Sequence, residues 1–151
     1  MSDSVLEQIA QNIETTLQGI TRAAGYSFDL TVTRATHKNE PRHLRAYIFQ
    51  LSPDEDEINA PITKEQWKQA FAVVAYSIPT ETDTTPFDQY NNEIAAAIHK
   101  ELMRDYSRGG LAIDTTIKPT LYFPPLDGEF AGITFQFDVR YRHRLDDPFA
   151  Q

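Results

Sequence analysis

The run Gly132-Ile-Thr-Phe-Gln-Phe-Asp-Val-Arg-Tyr-Arg-His-Arg144 constrains the fold more than any other stretch of the chain. Ile133, Phe135, Phe137, Val139 and Tyr141 occupy every second position, and Thr134, Gln136, Asp138, Arg140 and Arg142 fill the gaps. Successive side chains of a strand point to opposite faces, so the pattern predicts one strand with an apolar face and a polar face. At ~3.3 Å per residue the run spans about 40 Å, well beyond the usual strand of about five or six residues. Such two-sided chemistry suits an antiparallel sheet with helices on one face. Burying the five apolar side chains contributes on the order of 10 kcal/mol gross, before chain entropy is counted. The length of the strand, with arginines crowding its far end, suggests that it reaches beyond its own domain.

The rest of the chain supplies partners for that strand. Ser4-Val-Leu-Glu7 reads as a capping box. Leu6, Ile9, Ile13, Leu17 and Ile20 then form one apolar stripe on a helix that closes near Gly25. Tyr26 to Thr33 alternates as a first strand, with Tyr26, Phe28, Leu30 and Val32 inward, and Arg45 to Leu51 as a second. Between them lies a polar loop, Arg34 to Leu44, broken by Pro41. Thr63 to Ile78 is ambiguous, because Thr63-x-x-Gln66 imitates a capping box. Its aromatic and β-branched content tips the stretch to a third strand. Thr85-Pro86 opens a second helix with Pro86 at its first position and a stripe of Phe87, Tyr90, Ile94, Ile98 and Leu102. Gly109-Gly110 ends that segment, Leu111 to Ile117 is a fourth strand, and Pro119 to Phe130 is a loop. The expected fold is α+β: a mainly antiparallel five-stranded sheet with two helices packed on one face, in the order α-β-β-β-α-β-β.

A length of 151 residues suits a single domain, 1–151, with 145–151 as a short, loosely held tail. No apolar run approaches the ~18 residues of a membrane helix. The N-terminus lacks the basic and apolar regions of a secretory signal. The absence of cysteine excludes disulfides, thiolate zinc sites and cysteine nucleophiles, and fits a reducing cytoplasm. A net charge of −8 argues against a surface that grips DNA all over, yet it suits a conduit through which DNA slides.

No catalytic constellation assembles from the residues. The chain has no Gly-x-Ser-x-Gly elbow, no phosphate loop and no dinucleotide fingerprint. His37, His43, His99 and His143 include no i, i+4 pair, and each reads as a surface or interface polar group before a metal ligand. Asp54, Asp56 and Glu65 fall at positions 1, 3 and 12 of a calcium loop. Ile58 and Asn59 spoil the fifth and sixth positions, and a strand precedes where a helix should. No cofactor or metal is expected. An unrecognised enzyme would need a pocket gathering groups such as His99, Asp105 and Tyr106.

Two loops carry opposite charge. Arg34 to Arg45 holds Arg34, His37, Lys38, Arg42, His43 and Arg45; Ser52 to Ala60 holds Asp54, Glu55, Asp56 and Glu57 in a row. A solvated surface is the first reading of the basic loop, contact with the acidic loop of a neighbouring copy the second, and nucleic acid the third. The second would be a head-to-tail contact, which closes into a ring when the rotation permits.

Three pieces give the chain a family resemblance: the opening helix running into Gly25 and a strand; the helix from Pro86 followed by Arg108-Gly-Gly-Leu-Ala112; and the closing Val139-Arg-Tyr-Arg-His-Arg144 with Asp147-Pro-Phe149. In these it resembles the tail terminator, or tail-completion, proteins of long-tailed bacteriophages and prophages. Ser52–Ala60 and Thr80–Thr85 lie outside the resemblance. It implies a non-enzymatic virion protein, made in the host cytoplasm, that assembles into a hexameric ring. The ring would cap the head-proximal end of the tail tube, stop its polymerisation and offer a joining surface to the head connector or neck protein. DNA would pass through it without sequence-specific binding, and no membrane is involved. A head-closure or neck subunit is the alternative in the same setting. The candidate subunit or tube interface comprises Arg34, Lys38, Arg42, Arg45, Asp54, Glu55, Asp56, Glu57, Arg140, Arg142, Arg144, Asp147 and Phe149.

Overall fold

A computed structural model of the protein describes residues 3–55, 63–78, 82–123 and 130–151. Ser4 caps the first helix, α1 (Val5–Gln18), its Oγ accepting from the Glu7 amide at 3.1 Å. The helix stops seven residues short of Gly25. Thr21 adopts an extended conformation and its side chain accepts from the Ala24 amide, while Asp29 Oδ1 accepts from the Arg22 amide at 2.7 Å. These side chains offer the backbone an alternative to further α-helix, so a 3₁₀ turn (Arg22–Ala24) follows instead. Gly25, at φ 101°, turns the chain out of it.

The strands are β1 (Thr31–Arg34), β2 (Arg45–Glu55), β3 (Lys64–Ser77), β4 (Asp114–Ile117), β5 (Leu121–Phe123) and β6 (Ala131–Arg144), with α2 (Phe87–Arg104) between β3 and β4. Both long strands are as expected: the ambiguous stretch forms a strand over Lys64–Ser77, and β6 runs fourteen residues. The strand bounds differ from those expected: β1 takes up only the end of Tyr26–Thr33, β2 runs on past Leu51, and β4 begins at Asp114 rather than Leu111. The sheet differs from the expected one in two further respects. It has six strands, in the order β1-β2-β3-β6-β4 with β5 also on β6, and β1 pairs parallel to β2. Alternation identifies strands but not their direction, and here residues 35–44 carry the chain back to the start of β1 rather than around a hairpin. Leu44, at φ 54°, closes that return: its amide donates to Tyr76 O and its carbonyl accepts from the Thr31 amide, both at 3.0 Å. The second surprise, β5, is a three-residue strand inside the stretch read as loop.

Core and faces follow from register. Ile133, Phe135 and Phe137 of β6 stand opposite Ala75, Val73 and Phe71 of β3, and the Phe71 and Phe137 rings stack 5.5 Å apart. Ala46 and Ile48 of β2 and Val32 of β1 continue the same face. Ile9, Ile13 and Leu17 of α1 and Ile94, Ile98 and Leu102 of α2 join these residues in one buried cluster. Both helices therefore cover one face of the sheet, as expected. Gln69 sits fully buried on this face, and its amide donates to Leu51 O across the register shift between Gln50 and Pro53.

Two expectations about the C-terminus give way. The full length of β6 is paired with β3, so its far end lies inside the sheet of its own chain. The tail is tied down rather than loose. Leu145 N donates to Thr63 O at 2.9 Å, Arg144 N to Ala150 O at 2.7 Å, and Val5 N to Pro148 O at 3.1 Å.

The turn after α2 explains the Arg108-Gly-Gly run. Arg108, Gly109 and Gly110 all have positive φ, which the two glycines adopt without steric cost. Arg108 is completely buried, and its guanidinium donates to Leu102 O in the last turn of α2 and to Asp105 O just beyond it, which also accepts from the Arg108 amide at 3.2 Å. Burial pushes its pKa down, opposed by Asp105.

Candidate subunit interface

The sheet face opposite the helices carries the charges. Lys64, Gln66 and Lys68 of β3 stand directly across from Arg144, Arg142 and Arg140 of β6. Two of these three pairs juxtapose like charges, an arrangement that disfavours the sheet unless anions lie nearby. Several do. Arg140 meets Asp114 Oδ2 at 3.3 Å, Arg144 meets Asp146 Oδ1 at 3.5 Å, and Asp54 lies opposite Lys68. Arg142 Nε donates to Gln66 Oε1 at 2.8 Å. On the next level Lys118 pairs at 3.1 Å with Asp138, a nearly buried carboxylate. The arginines expected at an interface thus stand in one row, each with a partner inside its own chain.

At the other end of β2 the basic loop folds over the sheet edge. Lys38, Glu40, Arg42, Arg45 and Tyr47 line an open groove of about 250 Å³. Arg42 pairs with Glu40 at 3.0 Å, and Tyr47 Oη donates to Glu40 O at 2.7 Å. The Arg45 guanidinium lies 5.6 Å from the Tyr47 ring centroid, a cation–π contact, and its buried Nε has no hydrogen-bond partner. Among the described residues, three cations and one carboxylate line this groove.

Arg34 does not belong to the groove. It lies on the helix face, where its guanidinium holds Glu7 of α1 in a two-pronged pair at 2.6 and 3.1 Å. That hydrogen bond holds the Glu7 carboxyl below its ordinary range and raises Arg34. Glu14 Oε2 also accepts from the Arg34 amide at 3.0 Å. Arg34 is the clamp between β1 and α1.

The remaining candidates divide by position. Asp54 is exposed near the end of β2, and the Glu55 backbone pairs opposite Trp67. Asp56 and Glu57 lie outside the described residues. Asp147 Oδ1 accepts from the Phe149 amide at 3.0 Å, shaping the tail turn that leaves the Phe149 ring half exposed. The basic loop and Asp54 therefore lie at opposite ends of β2, and Ser52–Glu55, expected as loop, belong to the strand. Sequence reasoning missed Lys64 and Lys68, whose signal was the even-numbered polar row of β3 and β6, and Asp114 and Lys118, which belong to β4 and the residue after it. That row became readable only once the two strands were known to be neighbours.

The groups named for an enzyme do not converge. His99 is exposed on α2 and Tyr106 is exposed in the following turn. The Asp105 carboxylate accepts from Ser107 Oγ at 2.8 Å and Gly109 N at 2.7 Å, which hold its pKa below the ordinary value. Among the described residues no group of three or more His, Cys, Asp or Glu is placed to hold a metal ion. Among them too, no helix is long and apolar enough to cross a membrane.

The chain matches no protein-family model, and a search of curated proteins finds no match.

Proposed function

We propose that this chain is a ring-forming tail terminator of a long-tailed bacteriophage or prophage. Copies close into a ring on the head-proximal end of the tail tube, stop its growth and present a joining surface to the head connector or neck protein. The number of copies, six, follows from the family resemblance, as does the passage of DNA through the central hole. The work is done by shape and charge, with no chemical step.

One observation carries the reading. Both helices lie on one face of the sheet, and the other face carries charged features at opposite ends of β2: the groove at Arg45 and the acidic residue Asp54. A subunit with complementary ends suits head-to-tail association, the geometry that generates rings. The deciding experiment images particles made without this protein. Tails much longer than the wild-type length support the reading. Tails of normal length and normal attachment to heads overturn it.

A further inference from the structure

We infer that residues 145–151 are exchanged between copies: this strap crosses to a second copy of the chain and takes the seat that it occupies on its own chain here. The inference rests on the ring reading for its head-to-tail arrangement and names a contact that builds the ring.

The seat itself shows what it accepts. Pro148 O accepts from the Val5 amide at the start of α1 at 3.1 Å, and the Gln151 side-chain amide donates to Leu111 O at 2.7 Å. Gln151 also closes a pocket of about 210 Å³ with Lys64, Arg142 and the turn from Gly110 to Ile113. The receiving groups all belong to the body of the domain. A strap from another copy can make the same bonds to them, which is why exchanging an identical element costs little.

The balance then turns on what crossing loses and what it gains. The loss is confined to the fold-back. Asp147 N donates to Arg144 O at 3.1 Å, and Arg144 N to Ala150 O at 2.7 Å, and straightening the hinge breaks both. Pro148 eases that step, because a proline biases the residue before it, Asp147, toward extended backbone. Leu145 N stays on Thr63 O and anchors the root of the strap beside β3. The gain is apolar burial. Leu145 and Phe149, the two large apolar side chains of the strap, are 58% and 47% exposed. Ile113, in the wall of the pocket at Gln151, is 38% exposed as well. Folded back, the strap is held through polar groups and leaves these side chains in water. Crossing brings a second body against them. Giver and receiver are different surfaces, so each copy gives one strap and receives one, a heterologous contact that closes into a ring.

The chain contains no cysteine, so engineered ones report on the strap without background. Full-length Ala112→Cys and Ala150→Cys variants are mixed in equal amounts, with tail tubes added where solution holds only monomer, and treated with a short bis-maleimide. Exchange gives a covalent pair of unlike chains. A doubly substituted chain, Ala112→Cys with Ala150→Cys, reports the folded-back strap as a link within one chain. If the double variant links only within itself in assembled material, and the mixture gives no covalent pair, the inference is overturned and the ring reading stands. A second variant, Leu145→Ser with Phe149→Ser, keeps every main-chain bond of the strap. Its self-association in sedimentation velocity should weaken by about tenfold or more, with the urea midpoint of the monomer unchanged. Association equal to wild type overturns the inference. Covalent pairs in a chain that forms only two-copy or open-ended species support exchange and overturn the ring. A chain that stays monomeric in solution and on tubes, with no covalent pair, overturns both.

Discussion

Replacing Gly132 with alanine tests how closely β3, β5 and β6 approach on the face away from the helices. Gly132 lies between Tyr76 of β3 and Phe123 of β5 in the ladder. A Cβ built at Gly132 would stand 2.6 Å from Phe123 Cζ and closer still to the carbonyl oxygen of Ala75. The space is occupied because Tyr76, Phe123 and Phe130 meet edge to face there, with centroids 5.3 to 6.4 Å apart. A phenylalanine ring can swing away, but a backbone carbonyl in a paired strand cannot. The cost therefore falls at the upper end of overpacking, about 3 kcal/mol, against a total stability of about 5–15 kcal/mol. With a urea dependence of about 2 kcal/mol per molar, the unfolding midpoint drops by about 1.5 M. Trp67, the sole tryptophan, reports the transition by fluorescence. In a Phe123→Ala background the same substitution should still cost about 2 kcal/mol, because the Ala75 clash remains. A loss below about 0.5 kcal/mol in both backgrounds would refute the close approach.

Arg108→Ala removes the guanidinium donor from Leu102 O, leaves Asp105 O with the residue-108 amide alone, and opens a hole; we expect a loss of about 3 kcal/mol in urea unfolding. Removing residues 145–151 cuts the bonds from Val5 N to Pro148 O and from Leu145 N to Thr63 O, which should cost about 2 kcal/mol in the same assay. His43 gives a pH dependence. Its Nδ1 accepts from Ile78 N at 2.9 Å, Tyr90 packs on its ring at 5.0 Å, and burial holds its pKa below 6.5 despite Asp83 nearby. The unfolded chain then binds the proton first, so the stability His43 contributes is full above pH ~6.5 and is lost as pH falls through the lower folded value. Asp83, also held below its usual value, adds its own loss only in the more acidic range. Urea midpoints taken from pH 8 to 5 should fall with pH in wild type and flatten in His43→Gln, which keeps an acceptor and loses the titration.

What could be read from the residues was decided by burial on one face. The period of two in β6 and β3, and the helical stripes Ile9-Ile13-Leu17 and Ile94-Ile98-Leu102, are imposed by one core, so they show in sequence. Strand direction leaves no such trace. The alternation of Phe28, Leu30 and Val32 looks the same whether β1 runs with β2 or against it, and the reversal depends on Leu44 taking a conformation that its residue type does not advertise. Leu121-Tyr122-Phe123 is too short to show a period, with Leu121 and Tyr122 largely exposed. For the interface, charge was legible as composition and its geometry was not. Arg34 reads like the other loop arginines until Glu7 is found beneath it, and Lys64 and Lys68 gain meaning only from their register with Arg144 and Arg140.

Native mass spectrometry of the purified full-length chain, alone and after incubation with tail tubes lacking a terminator, tests self-association most directly. The account predicts one discrete closed species, a hexamer, forming in free solution or on the tube ends. A monomer under both conditions, or an open-ended ladder of sizes, contradicts it.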